Sequence, residues 1–404
     1  MTEAYIVATA RSPIGRARKG SLVDVRPDDL AARMVGAALD KVPGLDPGRI
    51  DDLLLGTGQP AGEQGFNLAR IVAVLIGWDA VPGATVNRYC SSSLQTTRMA
   101  FHAIKAGEGD VFVSAGVEAV SRYGAGASDV PDAVNPVFAA AVGRTAARSA
   151  AGAGVWADPR LDGALPDPYI AMGQTAENVA QLRGVSREEQ DAFAARSQQR
   201  AEAAIASGFW AGDITPVTLD DGTVVAADDG PRPGVTVEAL AGLDPVFRPD
   251  GTVTAGNCCP LNDGAAAVVV VSDRVVDELG LQPLARIVST GVSGLSPEVM
   301  GLGPVEASRR ALAVAGLSID DIDLVEINEA FAAQVIPSAR ELGVDPECLN
   351  VHGGAIAVGH PFGMTGARIT STLINGLAVT GGRYGLETMC VGGGQGMAMV
   401  LERV

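Results

Sequence analysis

Four short stretches hold the residues best suited to covalent chemistry. In VNRYCSSSLQ (86–95) a cysteine sits between a strand-like run and a helix-like run. A thiol at a helix N-terminus meets free N–H groups and the positive end of the helix dipole, and both lower its pKa. Cys90 is therefore a candidate nucleophile. The alternative is a small inert residue in a turn, the usual fate of an isolated cysteine. In NVHGGAIAVGHPFGMTGARI (350–369) a Gly-His-Pro tripeptide puts the His360 imidazole on a tight turn before a helix. CVGGGQGMAMVLE (390–402) ends a strand in Cys390 and opens a glycine run, whose backbone N–H groups can approach a ligand closely. EINEAFAA (326–333) ends another strand in Asn328-Glu329, where Asn328 could orient a water or cap a turn. A Cys/His pair is the minimum for thiolate catalysis, and a second cysteine can serve as a proton carrier.

The elements around these stretches alternate. Strand-like runs are Ala4–Ala8, Asp52–Leu55, Val111–Ala115, Ala265–Val271, Leu324–Glu326 and Met397–Leu401. Helical patterns span Asp28–Asp40 and Leu94–Ala106, the second ended by Gly107. Such alternation predicts an α/β fold around a buried mixed sheet. The stretch 27–56 also resembles 304–327: proline, acidic residue, helix, linker, aspartate pair, strand. Residues 85–115 and 350–394 repeat a second pattern of strand end, small-residue turn, helix and strand. Two copies of one α/β unit thus flank an insert, roughly Ser121–Gly251, with helices expected over Thr175–Arg183 and Arg187–Ser207 and an N-cap at Ser186. Cys90, His360, Cys390 and Asn328 fall at similar strand ends of the two copies, so a pseudo-twofold fold could bring them to one cleft.

The totals narrow the function classes. A net charge of −17 argues against nucleic acid as a partner. Hydrophobic residues at 47% supply a large core, while aromatics at 4% leave it to aliphatic side chains. Five cysteines, none in a CxxC pair, fit a reducing compartment better than a disulfide framework. The N-terminal MTEAYIVATARSPIG does not read as a secretory signal, and no apolar run approaches the length of a membrane span. A cytoplasmic location is expected.

Taken in order, RSPIG, NRYCSSSLQ, GVEAVS, MGQTAENVA, PRPGVTVEALAGLDPVFRPDGTVTAGN, LNDGAAA, GLGPVEASRRAL, INEAFAA, GGAIAVGHPFGMTGARI and CVGGGQGMA resemble the motifs of the thiolase family, acyl-CoA C-acetyltransferases, over essentially the whole chain. The resemblance implies two βαβαβαββ halves in five α-β-α-β-α layers with an inserted loop domain. It places one half at 1–120 plus 252–272, the loop domain at 121–251 and the other half at 273–404. It implies thiolysis of 3-ketoacyl-CoA by CoA, or the reverse Claisen condensation, through an acyl-Cys90 intermediate. His360 would take the Cys90 proton and hold the second substrate's thioester oxygen. Cys390 would be the acid/base at the α-carbon, and Asn328 would fix a water beside His360. The backbone N–H groups of Cys90 and Gly392 would hold the acyl-enzyme oxyanion. Met172, Arg232, Phe247, Ala255, Cys259, Met300 and Phe331 would contact CoA or the acyl chain, with Arg232 on phosphate or adenine. No metal or tightly bound cofactor is implied, only CoA and acyl-CoA as substrates and a homodimer or homotetramer.

Four positions depart from the family's usual pattern. His352 stands in place of Asn, which would set a titratable group near His360. Cys259 stands in place of Ser, and Ala171 in place of His. Ser93 stands where Gly is common, which raises the question whether its hydroxyl narrows the acyl pocket. Two other readings fit parts of the sequence. A decarboxylating ketosynthase on the same fold would carry Cys-His-His or Cys-His-Asn, against GHP with CVGGG here. A non-catalytic thiolase-like subunit would need none of the reactive residues.

Overall fold

The computed structural model describes residues 2–130, 133–152 and 154–404. Its strands are β1 (Ala4–Arg11), β2 (Gly15–Arg16), β3 (Asp52–Gly56), β4 (Gly83–Val86), β5 (Val111–Ala119), β6 (Val217–Thr218), β7 (Val224–Val225), β8 (Asn262–Ser272), β9 (Ala285–Gly294), β10 (Leu324–Ile327), β11 (Tyr384–Val391) and β12 (Gln395–Arg403). All but β6 and β7 join one mixed sheet, whose path is β10-β11-β12-β9-β1-β8-β5-β3-β4.

Read from its two ends, that path has one pattern. From one end, β4–β3 and β3–β5 pair parallel, then β5–β8 and β8–β1 antiparallel. From the other, a single parallel bridge at Leu349 precedes parallel β10–β11 and antiparallel β11–β12 and β12–β9. The internal repeat is thus a repeat of topology. The two five-membered paths meet only where Tyr5 and Ile6 of β1 face Arg286 and Ala285 of β9.

Helices complete the layers. Helices Ser92–Ala106 and Thr365–Thr380 pack on each other and on strands of both halves, forming the central layer. Pro27–Leu39 and Leu68–Leu75 cover the outer face of the first half, and Gly303–Ala315 that of the second. Alternate residues of a strand therefore enter different cores. In β8, Ala266, Val268 and Val270 join the central core, while Ala265, Ala267, Val269 and Val271 join the first outer core. In β12, Met397, Met399 and Leu401 face the centre, and Ala398 and Val400 the second outer core. Burying one such valine stabilises by roughly 1.5–3 kcal/mol, against a strand propensity scale spanning about 1 kcal/mol. Two-sided burial, not local propensity, makes these runs strands.

Several expected boundaries shift. The first helix starts at Pro27, whose fixed φ suits a helix N-terminus, and ends at Leu39. The insert's helices are Met172–Arg183 and Arg187–Ala206. Ser186 is the N-cap, in a capping box with Glu189: each side chain accepts from the other's backbone N–H. Strand β9 goes unread in the sequence because its buried faces carry serine. Ser289 Oγ donates to Ala311 O and Ser293 Oγ to Gly303 O, both at 2.7 Å, so the covering helix satisfies them. No helix among the described residues is long and apolar enough to cross a membrane.

Candidate active site

Strand β4 ends at Val86, and a short 3-10 turn, Tyr89–Ser91, leads into helix Ser92–Ala106. Tyr89 holds φ at +44°, a left-handed conformation that costs a non-glycine residue about 1–3 kcal/mol. Asn87 Oδ1 accepts the Tyr89 N–H at 2.8 Å, and Ser92 Oγ accepts the Arg88 N–H at 2.9 Å, so side chains hold the turn. Cys90 sits at its centre, half-buried. Its thiol is not depressed as the helix-terminus argument expects. Burial pushes it up to about 12, against hydrogen bonds from the backbone N–H groups of Gly392 and of Cys90 itself. Desolvation outweighs the dipole, so a free thiolate is not the resting state.

His360, the expected proton acceptor, lies on the opposite half. Burial holds His360 down to about 3, so the imidazole is neutral at physiological pH. Thr365 Oγ1 donates to Pro361 O at 2.7 Å and lies 2.6 Å from His360 Nδ1. With the hydroxyl proton spent on Pro361, Nδ1–H is the donor and Nε2 carries the lone pair. Asn328 Nδ2 stands 3.3 Å from that Nε2. The backbone N–H of His360 donates to Asn262 Oδ1 at 2.9 Å. Asn328 is placed by its N–H on Thr388 O and by Gln334 Nε2 on its own carbonyl. Its Oδ1 is buried with no partner, a vacant acceptor that suits a water or a substrate donor.

Cys390 is the penultimate residue of β11 and fully buried. Burial pushes its thiol up, and so does proximity to Cys90. Cys259 belongs to the same group: its thiol is pushed well up by burial and by Cys258, Cys90 and Cys390 nearby. After Cys390 the chain turns through Gly392 against the Tyr89 ring; a Cβ on Gly392 would lie 3.3 Å from that ring and 3.7 Å from Met172 Sδ.

Close helix contact sets the distance between the halves' contributions. A Cβ on Gly366 would lie 2.1 Å from Leu94 N, and one on Gly363 would lie 2.3 Å from Val117 O. Ser93 Oγ accepts the Ala367 N–H at 2.9 Å across the same seam. Ser93 is fully buried there, so its hydroxyl docks the two central helices and does not narrow the acyl pocket. Buried Glu118 ties the same region together, accepting from Gly58 N, Gly363 N, Gln64 Nε2 and Tyr123 Oη at 2.6–2.8 Å.

A cavity of about 450 Å³ opens beside Cys90, Gly392 and Met172. The other expected substrate contacts divide. Met300 and Phe331 are buried in the second outer core, with Phe247 and Cys259 packed against it. Phe247 and Phe331 meet edge to face at 6.2 Å. Arg232 and Ala255 line a separate cleft of about 30 Å³ beside Cys258, with Arg232 N–H on Gln198 Oε1. His352 is not placed against His360 as expected. It stacks on Phe209 at 3.6 Å, on the far side of Gly376. Among the described residues, no group of three or more His, Cys, Asp or Glu side chains is placed to hold a metal ion. Thr365 and Glu118 escaped sequence reasoning, although both lie inside quoted motifs, GHPFGMTG and GVEAVS. Their signal is a polar side chain within an otherwise apolar buried motif.

Comparisons with known proteins agree with this geometry. The family model "Thiolase, N-terminal domain" matches residues 4–274, and "Thiolase, C-terminal domain" matches 281–403. A 3-ketoacyl-CoA thiolase of Bacillus subtilis is 45% identical, each chain covered in full. A 3-oxoadipyl-CoA/3-oxo-5,6-dehydrosuberyl-CoA thiolase of Escherichia coli is 44% identical, again over all of both chains. The crystal structure of the Bacillus anthracis acetyl-CoA acetyltransferase superposes with a TM-score of 0.87 at 40% identity, covering 100% of this chain and 99% of that one. Human mitochondrial 3-ketoacyl-CoA thiolase gives 0.86 at 37% identity, with the same coverage.

Proposed function

The chain belongs to the thiolase family, and from its acyltransferase activity we propose how its residues divide the reaction. The neutral His360 Nε2 takes the Cys90 proton as sulfur adds to the keto carbon of a 3-ketoacyl-CoA. The N–H groups of Cys90 and Gly392, already directed at the sulfur, receive the oxyanion. Collapse breaks the α–β carbon bond and leaves an acyl group on Cys90. Cys390 protonates the departing acetyl-CoA enolate, whose oxygen is held by protonated His360 and a water on Asn328. CoA enters as a thiol, gives its proton to the Cys390 thiolate and takes the acyl group from Cys90, whose departing thiolate recovers its proton from His360. Run backwards, the same steps are a Claisen condensation.

The observation that carries this reading is a protonated thiol on one half and, on the other, a neutral imidazole whose lone pair is on Nε2. Such a pair transfers its proton only as the carbon–sulfur bond forms, which spares the enzyme a free thiolate. Met172 would border the acyl chain. Phe247, Met300, Phe331 and Cys259 would form the pantetheine wall, and exposed Arg232 with Ala255 would meet the nucleotide end. No resident cofactor enters the scheme.

The same reading divides the chain into a first half at 1–120 plus 252–272, a loop domain at 121–251 and a second half at 273–404. The matching strand orders of the two sheet halves support it. A homodimer or homotetramer is supported by the outer strand β4, half-exposed along its length and without a neighbour on one side. A cytoplasmic role in fatty-acid β-oxidation is supported by the reduced-cysteine composition and by relatives named as 3-ketoacyl-CoA thiolases. The test is intact mass after mixing with 3-ketoacyl-CoAs of increasing length, with and without CoA. An acyl adduct on Cys90 that CoA discharges is expected; an unmodified Cys90 with every substrate would refute the scheme.

A further inference from the structure

The cavity beside Cys90 has an uneven chemistry. Much of its lining is apolar, including Met172, Ile170, Val130, Val134 and Phe362. The one charged side chain lining it is Asp129, and no Lys, Arg or His among the described residues faces it. Asp129 is exposed at the rim, but it is not loose. Gln59 Nε2 donates to Asp129 Oδ2 at 2.6 Å. Gln59 Oε1 accepts from Ser128 N, Ser128 Oγ and Asp129 N at 2.8–3.0 Å. One glutamine therefore clamps the turn and its carboxylate together.

We propose that this cavity selects an uncharged acyl chain, with Asp129 acting against acyl tails that end in a carboxylate. The inference rests on Cys90 being the acyl carrier. A carboxylate tail would normally be met by an arginine fork or by N–H groups. Here it would enter an apolar wall and face a second carboxylate with no cation between them. A repulsive group of this kind rejects a competitor without improving the preferred substrate.

Arg88, next to the lining residue Tyr89, donates to Gln395 Oε1 at 3.1 Å, and the insert's arginines face a second cavity. Arg144, Arg148 and Arg248 line a neighbouring cavity of about 340 Å³, which shares only Ile170 with the first. Arg248 is buried, bonded to Gln174, Asn178 and Gln181, and Arg148 donates to Gly154 O and Asn178 Oδ1. These groups hold the insert together and leave no fork turned toward the thiol.

The experiment compares kcat/KM at low ionic strength for 3-oxohexanoyl-CoA and its ω-carboxylate counterpart of equal length. A preference of at least about tenfold for the neutral substrate is expected, equivalent to about 1.4 kcal/mol. Asp129→Asn should shrink that ratio several-fold, and so should added salt, because the rim charge is exposed to screening. Equal or better cleavage of the carboxylate substrate by the wild type would overturn the inference while leaving the thiolase scheme intact. A ratio unmoved in both Asp129→Asn and Asp129→Lys would also overturn it. Cleavage of neither substrate, with Cys90 unacylated, would remove the scheme and the inference together.

Discussion

His360 Nδ1 lies 2.6 Å from Thr365 Oγ1, and that contact decides which imidazole nitrogen can receive a proton. The hydroxyl is already committed to Pro361 O, so it accepts from Nδ1–H and leaves Nε2 free. Thr365→Val removes the acceptor and should lower the acylation rate by about 10–100-fold. Thr365→Ser should restore most of it. Single-turnover acylation measures this; a silent Thr365→Val would mean the tautomer is fixed some other way.

The pH profile follows from the same pair. Burial holds the imidazole down to about 3 and the thiol up to about 12. Between those limits the base stays neutral and the nucleophile protonated. Single-turnover acylation should therefore be flat from roughly pH 5 to 9, without the inflection near 6.5 of an ordinary histidine. A limb near 6.5 in kcat/KM would show that the imidazole is solvated in the working enzyme.

Cys390 is buried beside Cys90 but lies on β11 while Cys90 lies in the turn before a helix, so the two thiols can be separated by mutation. Cys390→Ala should keep acylation of Cys90 and lose α-proton exchange on acetyl-CoA by about 10²–10⁴-fold. Exchange followed by deuterium incorporation reads this directly. Normal exchange in the variant would take Cys390 out of the reaction.

A carboxyl outside the chemistry sets a stability trend. Burial pushes Glu326 up to about 8, with Glu329 nearby raising it further and Arg368 opposing. A carboxyl whose folded pKa exceeds its unfolded value holds a proton that the unfolded chain releases. Its contribution is complete below the unfolded value near 4.5 and is lost as pH rises toward about 8. The melting temperature should fall over that window, and Glu326→Gln should flatten the fall. An identical slope in the variant would assign the trend to other groups.

The candidate residues were legible as dense local motifs, and the structure puts Asn328 and Cys390 at strand ends, Cys90 in the turn after β4 and His360 in the turn between helices Ala355–Val358 and Thr365–Thr380. The ionisation of Cys90 was not legible. A helix N-terminus can be read from sequence, but the burial that outweighs it, the Glu118 charge that adds to it and the Gly392 N–H that opposes it come from segments distant along the chain. The ordinary helical pattern of Leu94–Ala106 was visible, whereas β9 was hidden, since Ser289 and Ser293 become core residues only once helix Gly303–Ala315 supplies carbonyl acceptors. His352 was expected near His360 from its place in the shared motif, whereas its ring stacks on Phe209.

The glycine contacts between the two central helices separate two kinds of evolutionary freedom. Gly366 leaves no room for a side chain against Leu94 of the other helix, Gly363 none against Val117 and Gly56 of the sheet, and Ser93 locks the helix seam. The spacing of the segments that carry Cys90 and His360 is thus an interior dimension that drift cannot adjust by small steps. The cavity wall, drawn largely from the insert, carries no such constraint. Substitutions in that wall can change the shape of the cavity without disturbing the packed seam of the two helices.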